Sequence, residues 1–364
     1  MIREGGAIFK RDMKKFLSNP FVVIMSLLMP LMYMVVFGNA VGGTLTAIPL
    51  GVVQGGLLPT ADTPLFLASV PLLGHYIQEK GDFPLFDVTV YTSEDIGKRD
   101  LSLGKIKGLV VFPSELNDDT TVRLYLDSSE YTIPQLIEAG VSAVLAGQGA
   151  VNPVLIEKIY GDIKFLQFFG ISVVVLAIFT STSFGGGIAI IKDRENGIHE
   201  GYLVTPVERS SIIFGIISSG TLRAFLAGFI IFLIALLATG IRVASVSSFL
   251  LVLVVIFIVC VGVTSLVVSF ASRFSNQQEY ASVNAFLNLV MFMTSGAFYP
   301  VLGMPGWLRW ITAINPEYYG IHALRSIILR GQGLEVIGID LVALLIFSTA
   351  MIVLGIMTYR RTLE

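Results

Sequence analysis

The stretch SSFLLVLVVIFIVCVGVTSLVVSF, residues 247–270, contains no Asp, Glu, Lys or Arg. A helix needs roughly 20 apolar residues to cross the hydrocarbon core of a bilayer, and this stretch is long enough to do so. Five other runs without charge have a similar character. Together they predict six transmembrane helices, near residues 21–40, 166–190, 221–240, 247–270, 282–301 and 340–358.

The composition agrees with a membrane protein. Of the 364 residues, 54% are hydrophobic and 14% are charged, whereas soluble proteins carry charge at about a quarter of their positions. The net charge of −2 argues against a nucleic-acid-binding surface. Cys260 is the only cysteine and the three histidines lie far apart in the sequence, so we expect no disulfide framework and no metal site in this chain.

The positions of Lys and Arg predict the orientation in the plasma membrane. They cluster before the first span, between spans two and three, and after span six, which the positive-inside rule assigns to the cytoplasm. Both termini are then cytoplasmic. Residues 1–44 would comprise a cytoplasmic segment and the first span. A cleaved signal peptide is the alternative, but the apolar part of this run is longer than a typical signal sequence.

Residues 45–163 differ from the rest of the chain. The segment from Asp62 to Lys164 holds 15 acidic and 8 basic residues, and its place between spans one and two makes it extracytoplasmic. Short apolar runs alternate with helical patterns, which predicts a small α/β domain with strands near residues 48–54, 85–91, 108–112 and 121–126. We predict a long helix from Pro134 towards span two, broken near Asn152-Pro153. Asp118-Asp119 and Asp127 are compatible with a cation site, but a solvated turn is favoured because the ligand spacing of a Ca²⁺ loop is absent.

The sequence contains no motif that would supply energy for transport. A P-loop needs G-x-x-x-x-G-K-[ST], and the nearest match, at residues 104–106, lacks the first glycine and the hydroxyl residue. The predicted spans contain almost no ionisable groups, which disfavours an ion-coupled carrier. We therefore expect a transport subunit that is not an enzyme and takes its energy from a partner, if it uses any.

The connection between spans two and three, residues 192–210, reads KDRENGIHEGYLVTPVERS. It is dense in charge and is broken at Thr205-Pro206, because a residue before proline avoids the helical conformation. On charge alone, a solvated cytoplasmic loop is the simplest interpretation.

The order of residues in this loop changes that interpretation, because it resembles the cytoplasmic segment of ABC-2 type transporter permeases. A second stretch resembles the C-terminal signature of the same family, with SGAFYP at residues 295–300, Trp307, Asn315-Pro316 and Arg325. The inserted domain is similar to that of the drug-resistance and sodium-export branches, notably GLVVFP at residues 108–113.

The resemblance implies the permease subunit of an ABC exporter that works by alternating access. Such permeases act in pairs, so the partners would be a second copy or a paralogous permease and two copies of a cytoplasmic ABC ATP-binding subunit, which would hold ATP and Mg²⁺. Residues 192–210 would contain the coupling helix that docks on that subunit, with charged residues setting register and apolar residues as anchors. The candidate coupling residues are Glu195, Gly197, Ile198, Glu200, Leu203, Val204, Thr205, Pro206 and Arg209.

Two further groups of residues are candidates, the first by the same resemblance and the second from helical spacing. Residues 303–337 are expected to form an outer re-entrant or interfacial helical hairpin that turns at Asn315-Pro316, and stapling of an outer gate by this segment is favoured over substrate binding. Within span five, polar residues share one face and serve either helix packing or the transport pathway. The gate candidates are Trp307, Asn315, Pro316 and Arg325, and the polar face comprises Asn284, Asn288 and Ser295.

A second class of function stays open. The phage-infection-protein relatives share a similar inserted domain and need no ATPase. A protein of that kind would use the extracytoplasmic domain as an assembly platform. The transported substrate, whether a drug, sodium, a lipid or a peptide, has no diagnostic binding group in any span.

Overall fold

The structure is a computed structural model that describes residues 47–54, 64–75, 84–113, 121–147, 154–161, 163–183, 187–196, 209–274 and 276–358. The predicted first span, residues 21–40, lies outside this part of the chain. So does most of the predicted coupling segment, residues 197–208.

The inserted domain (residues 48–158) is a five-stranded sheet with three helices. Its elements are β1 (Ile48–Gln54), α1 (Pro64–His75), β2 (Phe86–Tyr91), α2 (Glu94–Ser102), β3 (Gly108–Phe112), β4 (Val122–Leu126), α3 (Ile133–Gly147) and β5 (Val154–Lys158). The strand order is β2-β1-β3-β4-β5. Only β3 and β4 are antiparallel, while the other neighbouring strands run parallel. The strands predicted from the sequence are confirmed.

Burial explains why this domain folds as a unit. The apolar residues of β1 and β3 pack with the inner face of α3, through Ile48, Leu50 and Ile137 among others. Ser93 accepts a hydrogen bond from the Ile96 backbone N–H and so caps α2, as its position in the sequence predicts. The helix expected from Pro134 is confirmed as α3, which ends at Gly147. It does not lead into the next span, because β5 follows it and pairs with β4.

The described residues that follow β5 are mostly helical. They comprise α4 (Phe165–Thr182), α5 (Ile188–Glu195), α6 (Arg209–Thr239), α7 (Val246–Ala271), α8 (Gln277–Thr294), α9 (Gly306–Ile314), α10 (Pro316–Ile328) and α11 (Leu334–Thr358). Four of these are long and apolar enough to cross a membrane: Phe165–Thr182, Ile213–Thr239, Val246–Ala271 and Leu334–Met357. Helix α8 overlaps the predicted fifth span but is not among the four. Six spans are thus not established in the described residues.

Helix α7 lies at the centre of the helical part, where it packs against α4, α6, α10 and α11. Its contact with α10 depends on a small residue. A Cβ atom at Gly320 would come within 2.7 Å of Val259 Cγ2, so only glycine permits this approach. The predicted last span begins earlier than expected, at Leu334, because Asp340 is accommodated inside α11 by the imidazole of His322, 2.8 Å away.

Candidate functional site

Helices α9 and α10, residues 306–328, form a helical hairpin that meets at Asn315, the position of the predicted turn. Asn315 Oδ1 accepts from the Glu317 backbone N–H at 2.9 Å and so caps α10, while Pro316 occupies the first helical turn. Asn315 Nδ2 donates to the Met291 carbonyl at 2.6 Å and to Thr294 Oγ1 at 3.0 Å. One buried side chain thus starts α10 and attaches it to the end of α8.

A second contact attaches α9 at the same place. Thr312 Oγ1 donates to the Thr294 carbonyl at 2.8 Å, and both side chains are buried. The end of α8 therefore receives neutral hydrogen bonds from both arms of the hairpin. Glu317 is also fully buried next to this junction, and neither of its carboxylate oxygens has a hydrogen-bond partner in the structure.

Arg325 joins α10 to two other elements. Its guanidinium donates to the carbonyls of Gly296 and Ala297, at 2.9 and 2.8 Å, and to Ser172 Oγ at 2.7 Å. The same group lies 3.5 Å from the ring centre of Phe168. Arg325 thereby links α4 to the turn that follows α8, within the SGAFYP motif. Trp307, in contrast, is exposed on α9.

The segment that follows the hairpin contacts the inserted domain, and here the contacts are ionic. Arg330 Nη2 lies 3.1 Å from Asp127 Oδ2, and Arg330 Nε donates to Ser129 Oγ at 2.8 Å. Lys107 Nζ lies 3.3 Å from the same Asp127 oxygen and 2.9 Å from Glu130 Oε1. The prediction of a solvated turn at Asp127 is wrong, because its carboxylate is fully buried between two cations.

The local charges set the pKa values of this cluster. Burial favours the neutral form of Asp127, but Lys107 and Arg330 outweigh it and hold the pKa of the carboxyl below its ordinary value of 3.8. Burial likewise opposes ionisation of Lys107, and the carboxylates of Glu130 and Asp127 overcome this to raise the pKa of its ammonium group. The pKa of Glu130 is lowered, since the charge of Lys107 exceeds the effect of burial. The cluster is therefore ionised at neutral pH.

The backbone carbonyl of Ser102 provides a further contact between the inserted domain and the helical part. Ser102, at the end of α2, accepts at its carbonyl from Gln332 Nε2 at 2.5 Å and from Tyr160 Oη at 3.1 Å. Gln332 follows the hairpin, and Tyr160 follows β5. The segment before α4 and the segment before α11 thus contact the same carbonyl of the inserted domain.

A cavity of about 340 Å³ lies where the inserted domain, the hairpin and α4 meet. We call it the junction cavity. Its wall includes Lys107, Phe168, Tyr318, Arg325 and Arg330. Among the described residues, no group of three or more His, Cys, Asp or Glu side chains is placed to hold a metal ion.

The polar face of α8 is largely occupied by hydrogen bonds within the protein. Tyr280 Oη donates to the Ser183 carbonyl at 3.2 Å and lies 3.3 Å from Asn284 Oδ1, and all three side chains are buried. A side chain larger than glycine at Gly187 would collide with Tyr280. Tyr280 thus links α8 to the end of α4, and Asn284 contacts it from the next turn of the same helix.

The other two residues of that face differ from Asn284 and from each other. Ser295 caps the end of α8 by accepting from the Ala297 N–H at 3.2 Å, and it lines the junction cavity. Asn288 is half-buried, and its side chain makes no hydrogen bond within the described part of the chain.

Of the coupling candidates, the structure describes Glu195 and the backbone of Arg209. Glu195 is the last residue of α5, and its Oε1 accepts from the Gln277 backbone N–H at 2.9 Å. Because Gln277 is the first residue of α8, this contact connects the end of α5 to the start of α8. Arg209 is the first residue of α6. Gly197, Ile198, Glu200, Leu203, Val204, Thr205 and Pro206 lie outside the described residues.

Sequence reasoning missed several residues of this site. The roles of Thr294, Thr312 and Ser172 depend on contacts between segments distant in the chain, for which a single sequence carries no signal. The pairing of Asp127 with Arg330 spans 203 positions. The sequence does indicate that Arg330 needs a partner, because it lies close to an apolar helix and charges in such positions are usually paired.

The fold and these junctions define the class of the protein. It is an α-helical membrane protein with an inserted α/β domain and a helical hairpin, and the segment after this hairpin contacts the inserted domain. The family model described as an ABC-2 family transporter protein matches residues 15–357, so the chain belongs to the ABC-2 transporter family. The family resemblance inferred from the two sequence motifs is confirmed.

Known relatives agree with this assignment. The chain is 24% identical over 354 residues to the ABC transporter G family member 20 of Dictyostelium discoideum, covering 90% of this chain and 46% of that protein. It is 29% identical over 163 residues to the putative transport permease ycf38 of Cyanophora paradoxa, covering 44% of this chain and 56% of that protein. It is 27% identical over 162 residues to the probable multidrug ABC transporter permease YbhR of Escherichia coli, covering 44% and 43%. The chain thus spans about half the length of these relatives.

Proposed function

We propose that this chain is the permease subunit of an ABC exporter, which moves its substrate out of the cytoplasm by alternating access. The observation that carries the proposal is the family match over residues 15–357, in a chain whose sequence has no P-loop of its own. ATP and Mg²⁺ would therefore act in a separate cytoplasmic ATP-binding subunit. Two such subunits would serve two permeases, either identical or paralogous.

The coupling of ATP hydrolysis to transport is proposed to pass through residues 192–210. This segment connects α5 to α6, and Glu195 at the end of α5 accepts a hydrogen bond from the first residue of α8. A displacement of the segment by the ATPase would be transmitted to α8 through that contact. The other end of α8 carries the hydrogen bonds to Asn315 and Thr312. Helix α8 is thus a direct connection between the coupling segment and the hairpin.

In this proposal the inserted domain and the hairpin lie outside the cell, and both chain termini lie in the cytoplasm. The hairpin acts as an outer gate that Asn315 and Arg325 hold in place. Cys260 is buried, which leaves a low background for labelling with thiol reagents. A cysteine at Asp118 should react with an impermeant reagent in intact cells. A cysteine at Gly197 should react only after lysis, and the reverse pattern would overturn the orientation.

The coupling proposal is tested by co-purification with the ATP-binding subunit and by ATPase and efflux assays. Replacing Leu203 to Pro206 with alanine should separate the ATPase from the permease, because it removes the proposed docking surface. Glu195→Ala should preserve more of the assembly with the ATPase than the Leu203 to Pro206 variant does. It should still weaken the response of ATPase activity to substrate. Glu195→Gln is the matched control, since its side-chain oxygen still accepts from the Gln277 N–H.

The same assays distinguish an exporter from an assembly platform that works without an ATPase. An exporter subunit should co-purify with a protein that contains P-loop and signature motifs, and cells that lack either subunit should retain candidate compounds. Full assembly and transport in the Leu203 to Pro206 variant would exclude this segment as the coupling site. A failure to recover any ATPase would favour the platform.

A further inference from the structure

The wall of the junction cavity has an imbalance of charge. Four cationic side chains line it, namely Lys107, Arg309, Arg325 and Arg330, and Glu130 is the only carboxylate among the lining residues. Charges of one sign repel one another most strongly where they are shielded from water. Arg309 is exposed and Arg325 is half-buried, and carboxylates of the protein or a bound anion would reduce the repulsion between the cations.

Two of the four cations are compensated. Lys107 pairs with Glu130 and Asp127, and Arg330 pairs with Asp127. Two positive charges thus face two negative charges, and this part of the wall is neutral. It serves to attach the inserted domain to the segment after the hairpin.

The other two cations contact only uncharged groups. Arg309 donates from Nε to the Met304 carbonyl at 2.8 Å, and its Nη2 donates to the Leu302 carbonyl. Arg325 donates to backbone carbonyls and to Ser172, while its buried Nε has no acceptor. Within the described parts of the chain, neither guanidinium forms an ion pair.

One further ionisable pair borders the cavity. His322 lines it, and His322 Nδ1 lies 2.8 Å from Asp340 Oδ2. That carboxylate is directed to the imidazole and forms no ion pair with either arginine. The junction cavity therefore holds two guanidinium groups without a carboxylate partner.

We propose that the junction cavity binds a phosphate monoester or free phosphate, with Arg309 and Arg325 contacting the phosphate oxygens. Guanidinium groups match phosphate in geometry and charge. A phosphate monoester carries about −1.5 to −2 charges near neutral pH, which suits two arginines better than a single carboxylate does. The volume of about 340 Å³ exceeds the space that a lone ion needs, and Pro300, Val301 and Ile321 provide apolar wall for an organic part.

The ligand has two possible sources, a soluble phosphate and the headgroup of a lipid such as phosphatidic acid. The chain itself supplies a local reporter, because it has two tryptophans, Trp307 and Trp310. Both lie on α9 with Arg309 and are exposed. The full-length chain is placed in phosphatidylcholine nanodiscs and its tryptophan emission is followed. One arm titrates inorganic phosphate at constant ionic strength, and the other replaces part of the lipid with phosphatidic acid.

Saturable emission changes are expected in at least one arm, together with a rise of the apparent Tm on ligand binding. Arg309→Gln should weaken the apparent affinity about tenfold, which corresponds to ~1.4 kcal/mol. Arg309→Lys should recover part of the loss by restoring the charge. Arg242→Gln is the matched control, since Arg242 is an exposed arginine that does not line the cavity. Because Arg325 also holds α4, Arg325→Lys is used in place of a neutral residue.

The two arms separate the sources. A response to inorganic phosphate identifies a soluble ligand, and a response to phosphatidic acid alone identifies a lipid headgroup. Either result supports the site only if Arg309→Gln weakens it and Arg242→Gln does not. No saturable response in either arm overturns the proposal, as does equal affinity in the wild type, Arg309→Gln and Arg325→Lys. None of these readouts depends on the ATPase, so they test the site separately from the export function.

Discussion

The hairpin is attached on two sides by different chemistry. Towards α8, it is held by neutral hydrogen bonds from Asn315 and Thr312 to backbone carbonyls and to a hydroxyl group. Towards the inserted domain, the segment that follows it is held by the ionic contacts of Arg330 with Asp127. We call these the neutral junction and the charged junction.

The two junctions differ because one satisfies unpaired backbone carbonyls and the other neutralises buried charges. Helix ends within a helical bundle leave carbonyls without partners, and neutral donors satisfy them at low desolvation cost. A buried ion pair gains little net stability, because both charges lose their hydration, but breaking it leaves an uncompensated charge and is costly. The charged junction is therefore the more specific of the two, and the one more sensitive to loss of a single side chain.

The largest effect is expected from Asp127→Ala. It leaves Lys107 and Arg330 with a single carboxylate between them, and removing one partner of a buried pair costs about 3–5 kcal/mol. Thermal denaturation of the full chain should show a large loss of apparent stability, and hydrogen exchange should increase near residues 104–107. Asp87→Ala is the control, because Asp87 is exposed in the same domain. Equal stability of the two variants would contradict the charged junction.

A smaller effect is expected from Asn315→Ala. The change removes the cap of α10 and the two hydrogen bonds to the end of α8, for a combined cost of about 2 kcal/mol. Hydrogen exchange should increase at residues 291–297 but not at the charged junction. Asn288→Ala supplies the comparison, since the Asn288 side chain makes no hydrogen bond within the described part of the chain. If both variants behave alike, Asn315 does not hold the hairpin.

Thr312→Val tests the second arm of the neutral junction. It keeps the shape of the side chain and removes the hydrogen bond to the Thr294 carbonyl, at a cost of about 1 kcal/mol. Thr349→Val is matched to it, because the Thr349 hydroxyl is exposed and bonds only within its own helix. Denaturation of the two variants side by side should show the greater loss for Thr312→Val. The opposite order would remove Thr312 from the junction.

The smallest effect is expected from mild acid. The pKa of Asp127 is held below 3.8 in the folded chain, so its stabilising contribution is present at neutral pH and declines as the pH falls towards and below that value. Between pH 7 and pH 4 the wild type should lose only a little stability. The pH dependence contributed by this carboxyl should be absent in Asp127→Asn. A steep loss already at pH 6 would show that another group controls the charged junction.

The sequence predicts four strands of the inserted domain, because they are short apolar runs bounded by turn residues, and Ser93 is a clear cap for α2. It predicts membrane helices from missing charge, and for this reason it misplaces the start of α11. Asp340 looks like a boundary in the sequence, yet its pairing with His322 allows the helix to include it. The same reasoning wrongly assigns Asp127 to solvent. Its partner Arg330 lies 203 positions away in the sequence, so the pairing cannot be inferred from neighbouring residues.

The candidate site is only partly accessible to sequence reasoning. The motif at residues 295–300 and Arg325 were assigned by family resemblance, and the structure shows that Arg325 contacts the carbonyls of that motif. The split of the polar face of α8 into the packed Asn284 and the half-buried Asn288 depends on Tyr280 and Ser183. These residues come from different helices, and helical periodicity alone does not bring them together.

The short connection between β5 and α4 has a mechanical consequence. Six residues separate Lys158 from Phe165, which span at most about 20 Å when fully extended. The inserted domain is also fixed by Arg330 and Gln332 at Asp127 and Ser102. Leu302 also packs against the core of this domain, and the Tyr131 ring contacts Phe165 at the start of α4. Tilting of α4 or of the start of α11 should therefore change the orientation of the inserted domain, which makes that orientation a measurable sign of the state of the helices.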